Sequence, residues 1–186
     1  MQVGFYFDQT RCTGCNTCQV ACKDWHDIPA GPEHRMRLKY IEKGTFPDVY
    51  VGHLIQPCYQ CVDPVCAAAC PVDAIKKRAE DGIVETDSAA CLGNEACDEK
   101  CLKACPYDAP QFGPESGSKM RKCDYCLDRQ LEDKMPICIE SCPTRALDGG
   151  SLDGLEKKYG ATREAEGFVY SKRTQPAITF RPKPSS

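Results

Sequence analysis

Apolar and polar residues alternate only in short stretches of this 186-residue chain, and those stretches predict strands rather than long helices. Val3-Gly4-Phe5-Tyr6-Phe7-Asp8 predicts a strand running into Cys12. Arg37–Glu42 and Val49–Ile55 predict two more, inside a cysteine-free insertion covering residues 23–57. Ala74–Arg78 and Ile83–Thr86 flank Asp81-Gly82, a dipeptide suited to a tight hairpin turn, and the second of these strands runs into Cys91 as the first does into Cys12. A short helix is predicted at Leu152–Tyr159, capped by Ser151, followed by a polar, proline-bearing tail to Ser186. Within that tail, Thr174–Phe180 is expected to lie along the body of the protein or along a partner. No run of 18 apolar residues occurs, so no direct membrane span is predicted.

Ordinary core residues are sparse between these elements, and cysteine takes their place. The sixteen cysteines fall into four groups of four with none left over: Cys12/Cys15/Cys18/Cys22, Cys58/Cys61/Cys66/Cys70, Cys91/Cys97/Cys101/Cys105 and Cys123/Cys126/Cys138/Cys142. Each group ends in C-x3-C, and in three of them proline follows at once: Cys70-Pro71, Cys105-Pro106 and Cys142-Pro143. The repeat extends further, because Cys66–Ile75, Cys101–Pro110 and Cys138–Leu147 share the form C-x3-C-P-x-x-A. Residues four apart lie on one face of a helical turn, so both thiols of a C-x3-C can point inward. A loop of thiolates closed by Cys-Pro is the ligand pattern of a ferredoxin-type [4Fe–4S] cluster. Four groups imply four clusters and a protein that carries electrons.

Two other uses of cysteine compete with this one. A disulfide scaffold is disfavoured by the repetitive spacing and by an N-terminus that lacks a basic, then apolar, secretory signal. Zinc is the stronger rival, because C-x2-C-x11-C-x3-C in the fourth group would by itself pass for a structural zinc site. Four cysteines within eleven residues, as in the first group, leave no room for two zinc knuckles. The shared repeat favours iron–sulfur in all four. Spacing does not reveal which closing cysteine serves which cluster, since paired ferredoxin clusters exchange that ligand. Metal binding then supplies folding free energy, and the metal-free chain is expected to fold poorly.

Charge changes the picture little. A formal net charge of −3 gives no reason to expect a nucleic-acid partner. His26, His34 and His53 are scattered and read as non-ligands, and Trp25, Tyr107 and Tyr125 as packing residues beside the ligand loops. Gly14, inside the first loop, is expected to let the backbone close on its cluster. The eleven residues between Cys126 and Cys138 are expected to form a surface loop from Leu127 to Ile137.

Gly4–Asp24, Cys105–Phe112, Lys122–Cys126 and Pro136–Leu147 together resemble the four-cluster electron-transfer subunit of the dimethyl sulfoxide reductase and molybdopterin oxidoreductase family. The resemblance covers roughly residues 3–160. It implies an α+β fold of two bacterial-ferredoxin-like modules, each of the tandem 2[4Fe–4S] kind, with an inserted β segment and an extended C-terminal tail. Residues 1–22 with 111–150 would form the first module and 58–110 the second, with 23–57 inserted and 151–186 as tail.

The ligand sets it implies are Cys12, Cys15, Cys18 and Cys142; Cys123, Cys126, Cys138 and Cys22; Cys58, Cys61, Cys66 and Cys105; and Cys91, Cys97, Cys101 and Cys70. No residue is implied to be catalytic. The implied partners are a large Mo/W-bis-pyranopterin catalytic subunit and either a membrane anchor subunit or a soluble electron carrier. A free or filament-forming polyferredoxin serving a hydrogenase, formate dehydrogenase or aldehyde oxidoreductase is the alternative. The compartment would be the cytoplasm, or the periplasm by co-export with a signal-bearing partner.

The third group departs from the family pattern by four inserted residues, reading Cys91-Leu-Gly-Asn-Glu-Ala-Cys97-Asp-Glu-Lys-Cys101, so its loop must bulge and its cluster is expected to be exposed. Glu95, Asp98 and Glu99 beside it would disfavour the more negative reduced state, whereas Lys122, next to Cys123, would favour reduction. Redox titration of Glu95→Gln is expected to raise one midpoint potential; four unchanged potentials would remove the acidic residues from the argument.

Overall fold

The structure, a computed structural model, describes residues 1–184. Its central strand is β1 (Val3–Asp8), every residue of which is buried. The remaining elements, in sequence order, are α1 (Thr17–Trp25), β2 (Leu38–Thr45), β3 (Asp48–Ile55), α2 (Val65–Ala68), β4 (Ile75–Lys77), β5 (Val84–Thr86), α3 (Asn94–Cys97), α4 (Lys100–Ala104), α5 (Leu127–Gln130), α6 (Ile137–Glu140), β6 (Leu147–Ser151), α7 (Leu152–Tyr159) and β7 (Ile178–Arg181). The fold is mixed α and β, with short elements throughout.

β1 is flanked by two strands from the far end of the sequence. β6 pairs with it antiparallel, setting Phe5 opposite Gly149, and β7 pairs parallel, setting Phe5 opposite Ile178. Tyr125 fastens the first pair, since its hydroxyl donates to the Gly4 carbonyl and accepts from the Gly150 amide, both at 2.8 Å. The second pair depends on Gly4, where a Cβ would stand 2.6 Å from the Ala177 carbonyl oxygen. Leu-Asp-Gly-Gly-Ser has poor intrinsic strand propensity, which is why β6 escaped the hydrophobic pattern. The tail does more than lie along the body, because β7 completes the sheet. α7 is capped as expected, with the Ser151 hydroxyl accepting from the Gly154 amide.

β2 and β3 form a hairpin paired from Leu38↔Ile55 to Thr45↔Asp48. Its first strand starts one residue later and runs three residues further than the sequence pattern indicates. The small hairpin of β4 and β5 is correspondingly shorter, and Asp81 fixes its turn by accepting from the Ile83 amide at 2.9 Å. The stretch expected to be a surface loop from Leu127 to Ile137 begins as α5, and Arg129 within it is buried, donating to the Met135 carbonyl and pairing with Glu140. The C-x2-C-x11-C spacing thus hides a helical turn held by a buried guanidinium.

Two buried glutamines tie these parts together. Gln9 donates to the carbonyls of His53 and Glu166 and accepts from the Glu166 amide, joining hairpin, tail and first module. Gln60 donates to the carbonyls of Cys58 and Cys123 and accepts from the Val84 amide at 2.8 Å, joining the two halves of the molecule.

Because Ile178 is fully buried on β7, Ile178→Ala is expected to cost about 2–4 kcal/mol in chemical denaturation under reducing, oxygen-free conditions. Val169→Ala, at an exposed position, should stay within about 0.5 kcal/mol. Equal losses would mean that the tail strand does not support the sheet.

Candidate metal centres

Ten of the sixteen cysteines are buried, five are partly exposed and Cys15 is exposed. Three small cavities of closely similar size are each lined by four thiols. The first takes Cys70, Cys91, Cys97 and Cys101. The second takes Cys12, Cys15, Cys18 and Cys142. The third takes Cys58, Cys61, Cys66 and Cys105. The remaining thiols, Cys22, Cys123, Cys126 and Cys138, lie close enough to raise one another's pKa. Every set draws three cysteines from one loop and a fourth from a different part of the sequence. The short helices α1 and α6 pack together in one half and α2 against α4 in the other, so the two thiols of each C-x3-C fall in different sets.

Burial dominates the electrostatics. It pushes the thiols of Cys18, Cys22, Cys61 and Cys66 up to about 12, with neighbouring thiols reinforcing the shift. Cys123 and Cys138 are raised well above the ordinary thiol range for the same reason. Cys15 runs the other way, lowered by the Thr17 hydroxyl and the Thr17 amide. Buried thiols of this kind stay protonated until a metal's positive charge makes the thiolate favourable, so loading releases protons.

The donor sets suit a metal–sulfur core larger than one ion. Four sulfurs around a single zinc would sit about 3.8 Å apart, from a Zn–S bond near 2.3 Å. Among the described residues no group of three or more Cys, His, Asp or Glu side chains is arranged to hold a single metal ion. The Thr174 hydroxyl also fits a thiolate-bound core. It lines the third cavity, buried and without a close hydrogen-bond partner, near both Cys61 and the Tyr107 hydroxyl. Yet it is near enough to Cys61 to hold that thiol below the value burial alone would give. A neutral thiol is a weak acceptor and a metal-bound thiolate a stronger one, which reconciles the two observations.

Other predicted residues fall into place around these cavities. Gly14 has φ +73°, and a Cβ there would stand 2.4 Å from Nε2 of His53, so its missing side chain admits an imidazole of the inserted hairpin. Tyr40 on the same hairpin donates to the Gly14 carbonyl at 2.8 Å. His26 lies with Nε2 3.5 Å from Cys126 Sγ and Nδ1 against Arg35, which pairs with Asp124 at 2.7 Å. Trp25 is half-exposed, with the Arg129 guanidinium 4.5 Å from its ring and its Nε1 donating to Asp128.

The inserted residues of the third group are absorbed between α3 and α4 by two successive left-handed residues, Asp98 and Glu99, at φ 53° and 50°. The bulge does not strip that group bare, since Cys91 and Cys101 are buried; the exposed thiol belongs to the first group. Lys122 also departs from its sequence neighbourhood. Its side chain lines the Cys58/Cys61/Cys66/Cys105 cavity rather than staying beside Cys123 alone. Gln60 is the functional residue sequence reading missed; a polar side chain inside Cys58-Tyr59-Gln60-Cys61 was its only signal.

Comparison with known proteins agrees with this chemistry. The 4Fe-4S dicluster domain family matches residues 49–152. The protein is 41% identical to the B subunit of anaerobic dimethyl sulfoxide reductase of Escherichia coli (strain K12), over 100% of its own length and 91% of the relative. It is 40% identical to YnfG, a probable anaerobic dimethyl sulfoxide reductase subunit of the same organism, over the same shares. Protein NrfC, also of Escherichia coli (strain K12), is 33% identical over 82% of this protein and 67% of the relative. With thiol-lined cavities and full-length similarity pointing the same way, the protein belongs to the 4Fe-4S dicluster family, among the iron–sulfur electron-transfer subunits related to the B subunit of anaerobic dimethyl sulfoxide reductase.

Proposed function

We propose that the protein holds four [4Fe–4S] clusters and passes electrons through them in series, without a catalytic site of its own. The ligand sets are Cys12/Cys15/Cys18/Cys142, Cys22/Cys123/Cys126/Cys138, Cys58/Cys61/Cys66/Cys105 and Cys70/Cys91/Cys97/Cys101. The observation that carries this reading is the trio of near-equal cavities, each walled by four thiols. Bound clusters supply one-electron chemistry. The protein supplies the thiolates, excludes water with apolar walls and fixes the spacing between sites.

The series order follows from shared elements. The first two sets share the α1–α6 pair, and the last two share α2 and α4. Between them, the Cys123 thiol feels the charge of Cys58, and the Gln60 amide bridges the carbonyls of both residues. Exposed Cys15 stands at one end of this series, and the partly exposed Cys70 and Cys97 at the other. The domain division follows the same logic: 1–22 with 111–150 as one ferredoxin-like module, now joined by β7, and 58–110 as the other, with 23–57 clamped over the first ligand loop.

Both ends then need a redox partner. By relation to the B subunit of anaerobic dimethyl sulfoxide reductase, one is a large Mo/W-bis-pyranopterin catalytic subunit and the other a membrane anchor subunit or soluble carrier. Among the described residues no helix is long and apolar enough to cross a membrane.

Anaerobic purification through a tag on this protein should yield about sixteen irons per molecule, with stoichiometric molybdenum or tungsten on a co-purifying large subunit. The same iron without either metal would move the reading to a free polyferredoxin, and zinc in place of iron would sink it. Cys142→Ala should lose about four irons while its cluster-mates Cys12, Cys15 and Cys18 remain intact; loss of all iron would mean that the sites do not assemble independently. Stripping iron from the loaded protein with a chelator under reducing conditions should abolish protease resistance, because the buried thiol loops are the core.

A further inference from the structure

The three cavities differ in their walls. Around Cys70, Cys91, Cys97 and Cys101 the other lining residues are apolar, including Ile75, Phe112 and Met120. Around Cys12, Cys15, Cys18 and Cys142 the polar additions are neutral: Thr13, Asn16 and Thr144. The cavity of Cys58, Cys61, Cys66 and Cys105 alone among the three takes a charged side chain, Lys122.

Lys122 is 3% exposed. Its Nζ donates to the Val84 carbonyl and, at 3.1 Å, to the Cys123 carbonyl. Among the described residues no carboxylate forms an ion pair with it, although eleven other ion pairs are present. Carbonyl oxygens orient a buried ammonium but leave its net charge uncompensated, which is unfavourable in an apolar interior. The four thiols whose cavity it lines would carry the compensating negative charge once they hold a cluster. On the same cavity, the tail contributes Thr174, 1% exposed, whose hydroxyl lies near both Cys61 and the Tyr107 hydroxyl.

We propose that Lys122 is the internal counter-charge of the cluster held by Cys58, Cys61, Cys66 and Cys105, and that with the Thr174 hydroxyl it raises that cluster's reduction potential above that of its module partner. The inference rests on the cluster assignment of the preceding subsection. Reduction adds one electron and neither forms nor breaks a bond, so the reduced site gains a negative charge that a buried cation and a nearby hydroxyl both favour. The apolar cavity of Cys70, Cys91, Cys97 and Cys101 has no such compensation; exposed Lys119, donating to the Cys91 carbonyl, is screened by solvent. An electron therefore rests at the junction of the two modules, beside Gln60 and Cys123, rather than at the outer end of the series.

The test is potentiometric titration of the loaded protein followed by electron paramagnetic resonance, on wild type, Lys122→Met and Thr174→Val. One and the same component is expected to shift to lower potential in both variants, further in Lys122→Met, with iron content unchanged. Because Lys122 is buried, its shift should persist at high salt, whereas the Glu95→Gln shift should shrink. Four unmoved potentials in Lys122→Met at full iron content would overturn the proposal, as would two variants that move different components. Should Lys122→Met lose iron, Lys122→Gln retains a donor for the two carbonyls while removing the charge, and the same criteria apply to it. A wild-type protein without four reducible components would instead defeat the cluster assignment itself.

Discussion

Closing each four-thiol cavity with a cysteine from a distant segment is the constraint on which the rest of this structure depends. Cys142 must reach the loop of Cys12, Cys15 and Cys18, and Cys105 must reach that of Cys58, Cys61 and Cys66. Elements of four or five residues, such as α2, α4 and α6, are too short to be stable alone. They persist because each carries the first thiol of a C-x3-C whose closing cysteine joins a different four-thiol set. Ten buried cysteines thereby do what leucine and isoleucine do elsewhere, and cluster assembly and folding become one process.

The insertion and the tail follow from that constraint. A ligand loop with little apolar surface must be covered by something else. The hairpin of β2 and β3 does this for the first loop, with His53 filling the space left by Gly14 and Tyr40 holding its carbonyl. The tail covers the second module's inner cavity with Thr174, then returns as β7 to the edge of β1. Gln9 and Gln60 satisfy the backbone groups that these crossings would otherwise bury without partners. A solvent-excluded interior in which polar groups are few and aimed is also what allows one lysine or one hydroxyl to bias a redox site.

Much of the local structure was legible. β1, the β2–β3 hairpin, the Asp81-Gly82 turn and the capped α7 each rest on a short-range rule of periodicity or capping, and such rules act within a few residues. β6 and β7 were not legible as sheet partners, since Leu-Asp-Gly-Gly-Ser has weak strand propensity and strand pairing with β1 is a long-range event. The helical turn at Leu127–Gln130 was missed because its support, the buried Arg129 bound to Met135 and Glu140, lies outside it.

The sequence by itself determined the chemistry: the number of thiols, their spacing, the repeat and the iron–sulfur class, because ligand loops are local and metals demand fixed donors at short range. Only the tertiary structure decided which side chains surround which cavity. Lys122 stands next to Cys123 in the sequence, yet its side chain lines the cavity of Cys58, Cys61, Cys66 and Cys105 while its ammonium is held by the Val84 and Cys123 carbonyls. The inserted acidic residues of the third group are taken up in a left-handed bulge that leaves Cys91 and Cys101 buried. Electrostatic influence falls with distance and burial, not with sequence separation, and those distances are set when remote segments close around a common site.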